Sequence, residues 1–194
     1  MSKAMRWRIM TLQGVLVIVL ATAAGFLYWG STFVTNQVDD QLVAQQIFFP
    51  PASEIKAGGA FDPAVYPQSV RQYAGQQVDN GPKAREFANN YIAIHLKGVY
   101  NGMTYSQVST LQRQSPTDAK LAAAKQTLFM GETLRGMLLN AYGWWQVGQY
   151  ALYGAAVMAL ATLVVLASFV FELVAAIRPK QLKVDLQARA PVPA

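Results

Sequence analysis

Residues 151–177, ALYGAAVMALATLVVLASFVFELVAAI, hold a single ionisable side chain, Glu172, near their far end. As a helix rising 1.5 Å per residue, the stretch is about 40 Å long, enough to cross a hydrocarbon core of about 30 Å. Arg178, Pro179 and Lys180 follow as a cationic stop. Few folds place such a segment in water, so it constrains everything else in the chain.

A second apolar stretch lies at 9–29, IMTLQGVLVIVLATAAGFLYW. The basic residues Lys3, Arg6 and Arg8 before it and the small residues at 21–24 resemble a signal peptide. Its apolar character, however, runs on through Phe26, Leu27, Tyr28 and Trp29. That is longer than the usual apolar region of about 7–15 residues, so the reading is an uncleaved anchor. Tyr28 and Trp29 then form an interfacial aromatic belt with Trp144, Trp145 and Tyr150. The two stretches also explain why only 13% of the 194 residues are charged.

Charge outside the stretches sets the expected orientation. Residues 1–8 carry three cations and no acid, and 178–194 carry four cations against Asp185. Residues 30–150 are nearly balanced, with nine basic and eight acidic side chains. Both termini are expected in the cytoplasm, with 30–150 outside a plasma membrane. The net charge of +6 is divided between two tails and does not form a stripe, which argues against nucleic-acid binding. There is no cysteine, so disulfides, iron–sulfur clusters and thiol chemistry are excluded.

The expected architecture is all-α. Transmembrane helices at 9–29 and 151–177 flank a small extracytoplasmic helical domain at 30–150, with cytoplasmic ends at 1–8 and 178–194. Apolar positions 33, 34, 38, 42, 43, 47 and 48 predict a helix leaving the first span and stopped by Pro50-Pro51. Residues 50–82, with four prolines before Pro82 and Gly58-Gly59, predict an ordered loop containing a helical turn near 68–75, with Phe61, Val65 and Tyr66 on a surface. Asn80 or Gly81 caps a helix with Pro82 in its first turn and Ala84, Phe87, Ala88, Tyr91, Ile92, His95, Leu96 and Val99 on one face. Thr104 and Gln107 form a capping box. Ser115 caps a last helix, with Pro116 at its first position, which can run into the second span with a bend near Gly143 or Gly148. Ala21 and Gly25 face Ala151, Ala155 and Ala159 if the spans pair as a hairpin; packing against another protein is the alternative.

Candidate chemistry is sparse. His95 is the single histidine, stacked at four-residue steps on Phe87 and Tyr91, and is either a functional base or the end of an aromatic stack. One histidine without cysteine makes neither a zinc site nor a two-histidine iron site, so no metal or other cofactor is expected. Glu172 is the one ionisable residue inside a span, within hydrogen-bonding reach of Gln13. Glu132 and Arg135 form an ion pair that orients a leucine-rich helix. No catalytic set is evident.

Four segments carry a resemblance: FVTNQVDDQLVAQQIFFP, VDNGPKAREFANNYIAIHL, GMTYSQVS and TLFMGETLRGMLLNAYGWWQVG. With their flanking spans they resemble a family of actinobacterial two-span membrane proteins, some of which carry an aromatic ring-opening dioxygenase small-subunit label. The resemblance implies an actinobacterial plasma membrane and no established activity. It marks His95, Glu132, Arg135 and Trp144 as shared motif positions.

The functional expectation is therefore a non-enzymatic accessory or scaffold protein whose outer domain contacts another membrane or envelope protein, in contact with membrane lipid, with a homo-oligomer left open. The alternative is a domain that binds a lipid or apolar envelope molecule in a cleft lined by Phe48, Phe49, Phe61, Tyr66 and Tyr91. An enzyme using His95 ranks third.

Overall fold

The computed structural model describes residues 3–177, so the tail expected at 178–194 and the first two residues of the one expected at 1–8 lie outside the described residues. The described residues form helices and the loops that join them, with one isolated antiparallel bridge, Phe48 to Gln77, and no strand. Six α-helices follow one another: α1 (Lys3–Ala44), α2 (Gln68–Arg71), α3 (Gly81–Phe87), α4 (Ala93–Lys97), α5 (Tyr105–Gln114) and α6 (Ala119–Ile177). A π-helical turn, Ala88–Ile92, joins α3 to α4. Helices α1 and α6 are both long and apolar enough to cross a membrane. The chain divides into two compact units, Met1–Trp29 with Leu152–Ala194, and Gly30–Ala151.

In the first unit, α1 and α6 run antiparallel. Gln13 Nε2 donates to Ser168 Oγ at 3.0 Å, and Arg6 Nε lies 3.6 Å from Glu172 Oε2. Thr11 and Thr162 donate to the carbonyls four residues back, which satisfies their hydroxyls inside the helices, as an apolar surround requires. The close contacts are Gly14 against Phe169 and Gly154 against Leu27, with Ala155 buried. Gly25, expected at the pairing face, has nothing within 4 Å of where a Cβ would sit. The Gln13 amide meets Ser168 rather than the expected Glu172, which is paired instead with Arg6.

The second unit is built on the C-terminal part of α1, residues 30–44. Helix α1 ends at Ala44, six residues before Pro50, because Gln46 turns into the left-handed region (φ 53°). Val38 and Leu42 stay buried, whereas Phe33, Val43 and Phe48 of the expected stripe are exposed. The backbone at 47–50 then pairs with 75–78: Phe49 N–H donates to Gln76 O at 2.9 Å, Val78 N–H to Ile47 O at 2.8 Å and Gly75 N–H to Pro50 O at 2.9 Å. These bonds close the base of the Pro/Gly-rich loop. Within it, the Asp62 carboxylate accepts from Gly58 N–H at 2.7 Å and Ala64 N–H at 2.9 Å. Those two bonds hold its pKa below the ordinary carboxylate value.

The loop is not a surface flap. Phe61 is fully buried and Tyr66 nearly so, contrary to the surface placement their neighbours suggest; Val65 alone is exposed. Phe49, Phe61, Tyr66, Tyr73, Phe87 and Tyr91 form one aromatic cluster with ring centroids 4.9–6.5 Å apart. This is the spacing at which edge-to-face and offset pairs attract.

Local capping chemistry behaves as the residues dictate. Asn80 accepts from Lys83 N–H at 3.0 Å with Pro82 in the first turn, and Thr104 and Gln107 make the reciprocal capping box. The last helix differs. Asp118, not Ser115, is its cap: its carboxylate accepts from Lys120 N–H at 2.8 Å and Leu121 N–H at 3.2 Å, and Ser115–Thr117 form a turn. No helix end falls at Gly143 or Gly148.

Helix α6 grips the α3–π–α4 rod along a seam whose α6 positions are 131, 135, 138, 142 and 145. Steps of four and three keep them on one face. Trp145 covers Gly81, where any Cβ would overlap the indole. Arg85 Nη1 donates to the Tyr142 hydroxyl at 3.2 Å and its guanidinium sits 5.1 Å above the Tyr142 ring. Arg135 Nη2 donates to Asn89 Oδ1 at 3.3 Å. Leu96 seats on Gly131, where a Cβ would come 2.5 Å from Leu96 Cδ2.

This geometry predicts opposite outcomes at two glycines. Gly81→Ala forces an overlap with the root of Trp145 and should cost about 1–3 kcal/mol. That corresponds to about 2–4 °C of melting temperature per kcal/mol. Gly136→Ala meets nothing within 4 Å and should raise stability by up to about 1 kcal/mol through helix propensity. Thermal unfolding in detergent compares the two, and equal effects would contradict the seam.

Candidate functional site

The second unit carries two grooves. The first, of about 640 Å³, lies between the π–α4 segment and α6. Its walls are Tyr91, Ile92 and Leu96 on one side and Met130, Leu134 and Met137 on the other, with Phe129 beside them and His95 at the edge. Phe129, Met130 and Met137 are each more than half exposed (51%, 59% and 57%), while Leu121, Leu128 and Leu138 of the same helix are buried. Helix α6 therefore has two apolar faces here, one consumed by the core and one open.

The second groove, of about 420 Å³, runs between residues 33–45 of α1 and residues 137–144 of α6. Its floor is Val38, Leu42 and Ala141, its rim is the amides Gln37, Gln41, Gln45 and Asn140, and Trp144 lies at one end. Gln37 and Gln41 stand about 6 Å apart along the helix, and Gln45 follows in the turn just past its end.

The positions singled out from sequence scatter over these features. His95 is exposed and takes no part in the aromatic cluster. Its expected stack on Tyr91 needs an uninterrupted α-helix, and the π-turn at Ala88–Ile92 breaks that register. Its imidazole makes no hydrogen bond or ion pair with another described residue. Glu132 and Arg135 do pair, at 3.2 Å, and Arg135 is also the seam residue that reaches Asn89. Arg135 Nε is buried without a partner. Trp144 is 54% exposed at the mouth of the amide-rimmed groove. Glu172 belongs to the other unit, with Arg6.

Of the five aromatics expected to line a cleft, Phe49, Phe61 and Tyr66 fill the core and leave no cleft between them. Phe48 stands apart and exposed, and Tyr91 alone reaches a groove. Burial keeps the Tyr66 and Tyr91 hydroxyls protonated above the ordinary phenol range. Among the described residues no three His, Asp or Glu side chains converge as a metal site.

Several participants were not singled out from sequence. Arg85, Asn89 and Tyr142 make the seam together with Trp145, which was expected in an aromatic belt and instead packs on Gly81; Phe129, Met130 and Met137 make the apolar wall, and four amides make the second rim. The four-three spacing from Gly131 to Trp145 was the available signal for the first group. No family model, no curated protein and no solved structure matches this chain.

One carboxylate is out of balance. Asp39 Oδ1 is buried without a hydrogen bond, and desolvation, with Asp79 and Asp40 nearby, raises its pKa above the ordinary 3.8. Lys83 does not relieve it, being bound to Asp79 at 2.9 Å. A raised folded-state value means the folded protein holds this proton more tightly than the unfolded chain. Asp39 therefore costs stability increasingly as pH rises from 3.8 through the raised value, and the cost is complete above it. Asp39→Asn is expected to raise the melting temperature at pH 7, with the gain vanishing below about pH 4. Thermal unfolding across that range checks this, and a gain that grows toward acid would contradict it.

Proposed function

We propose that the chain is a non-enzymatic membrane protein, an accessory or scaffold component whose unit at 30–151 docks an apolar segment of another membrane or envelope protein. In this reading α1 and α6 anchor it in a plasma membrane, both termini are cytoplasmic, and the resemblance to actinobacterial two-span proteins fits that location. The observation that carries it is the open face of α6 beside α4. Phe129, Met130 and Met137 remain more than half exposed although the helix has already supplied its core face. An apolar strip of that kind outside the core marks an interaction surface. Unbranched methionines suit a partner whose side chains are not matched one to one. An amphipathic helix presenting anchors at three- and four-residue steps is the shape such a groove accepts.

A photo-crosslinking amino acid at position 130 tests this in native membranes, with the exposed Gln114 position as control. The expected result is one protein adduct from position 130 and none from 114. Met130→Glu should then weaken association about tenfold or more while leaving the helical circular dichroism unchanged. Adducts to lipid alone at position 130 would replace a protein partner with an apolar ligand, and equal adducts at both positions would refute the docking face.

A further inference from the structure

The amide-rimmed groove shares Met137 and an apolar floor with the first but adds four amides and the Trp144 indole, and these point to a different occupant. We propose that it binds a neutral polyhydroxylated group, a sugar, either free or as the headgroup of a glycolipid. Gln37, Gln41, Gln45 and Asn140 all border the cavity, and none of the four side chains is engaged by another described residue. Some amides elsewhere in the chain are engaged, Gln13 by Ser168, Gln72 by Ser69, Gln77 by Val43 and Gln107 by Thr104, while others on open surface are not.

A side-chain amide offers donors and acceptors together, which is what a run of hydroxyls, each also donor and acceptor, requires. No charged residue lines the groove, so it has nothing to repay the desolvation of an ionic ligand. Trp144, 54% exposed at one end, presents a flat, electron-rich face to the C–H side of a sugar ring. Buried Val38 and Leu42 supply an apolar floor beneath the row of amides. The volume of about 420 Å³ lies within the range of about 300–1,000 Å³ common to small-molecule sites.

The test uses the full chain in phosphatidylcholine nanodiscs, free of sugar-headed detergent, with saturation-transfer NMR as readout. One arm adds neutral gluco-, galacto-, manno- and arabino-trisaccharides, with trigalacturonate as an acidic control. The other arm places a monoglucosyl diacylglycerol in the disc. Transfer to a neutral trisaccharide supports a free saccharide, and transfer to the lipid headgroup supports a glycolipid. In either case Trp144→Ala and Gln41→Leu should each weaken binding about tenfold, and Gln114→Leu should not. The proposal is overturned if no probe in either arm exceeds the Gln41→Leu/Trp144→Ala double variant, or if trigalacturonate binds equally. A crosslinker at position 41 that captures protein, with no sugar signal, would likewise overturn it by making the groove a helix seat. These outcomes are separate from those at position 130, so either site can fail alone.

Discussion

The unit at 30–151 depends on the seam between α6 and the α3–π–α4 rod. Two glycines let the helices approach, one on each partner: Gly81 lies under Trp145, and Gly131 receives Leu96. Between them two arginines cross the seam in opposite directions, Arg85 to Tyr142 and Arg135 to Asn89. Large-on-small contacts at both ends fix the register, and the polar contacts between them tolerate no slip by one turn. With the rod held there, Phe87 and Tyr91 project into the aromatic cluster that receives the Pro/Gly-rich loop.

The same packing leaves surfaces open. A helix that spends one face on the seam and another on the core would ordinarily show a charged third face. Helix α6 shows Phe129, Met130 and Met137 instead. Across it, toward α1, the surface is again largely apolar, but a row of side-chain amides borders it.

What was legible in the sequence follows the range of the forces involved. Asn80, Thr104 with Gln107, and the apolar stretches are local or additive signals, and they act as read. Helix α1 ending at Ala44 was hidden because the stop is a left-handed Gln46, not a proline. The displaced cap reflects a helix that starts one turn later than the Ser-Pro signal suggests, where the Asp118 carboxylate takes the Lys120 and Leu121 amides. Phe61 looked like loop surface because its burial comes from aromatic partners distant in sequence. His95 left its predicted stack because a single π-turn has no residue signature. The groove amides, spaced four apart, read as an ordinary solvated face until α6 is set beside them.

The account rests most heavily on residues 30–150 lying outside the membrane with both tails inside. The natural chain has no cysteine, so single cysteines introduced in place of Ser2, Ser53, Gln114 and Gln181 can be probed in intact cells with a membrane-impermeant maleimide. The account predicts labelling at 53 and 114 without permeabilisation, and at 2 and 181 only after it. Labelling of 2 or 181 in intact cells, or protection of 53 and 114, would contradict it.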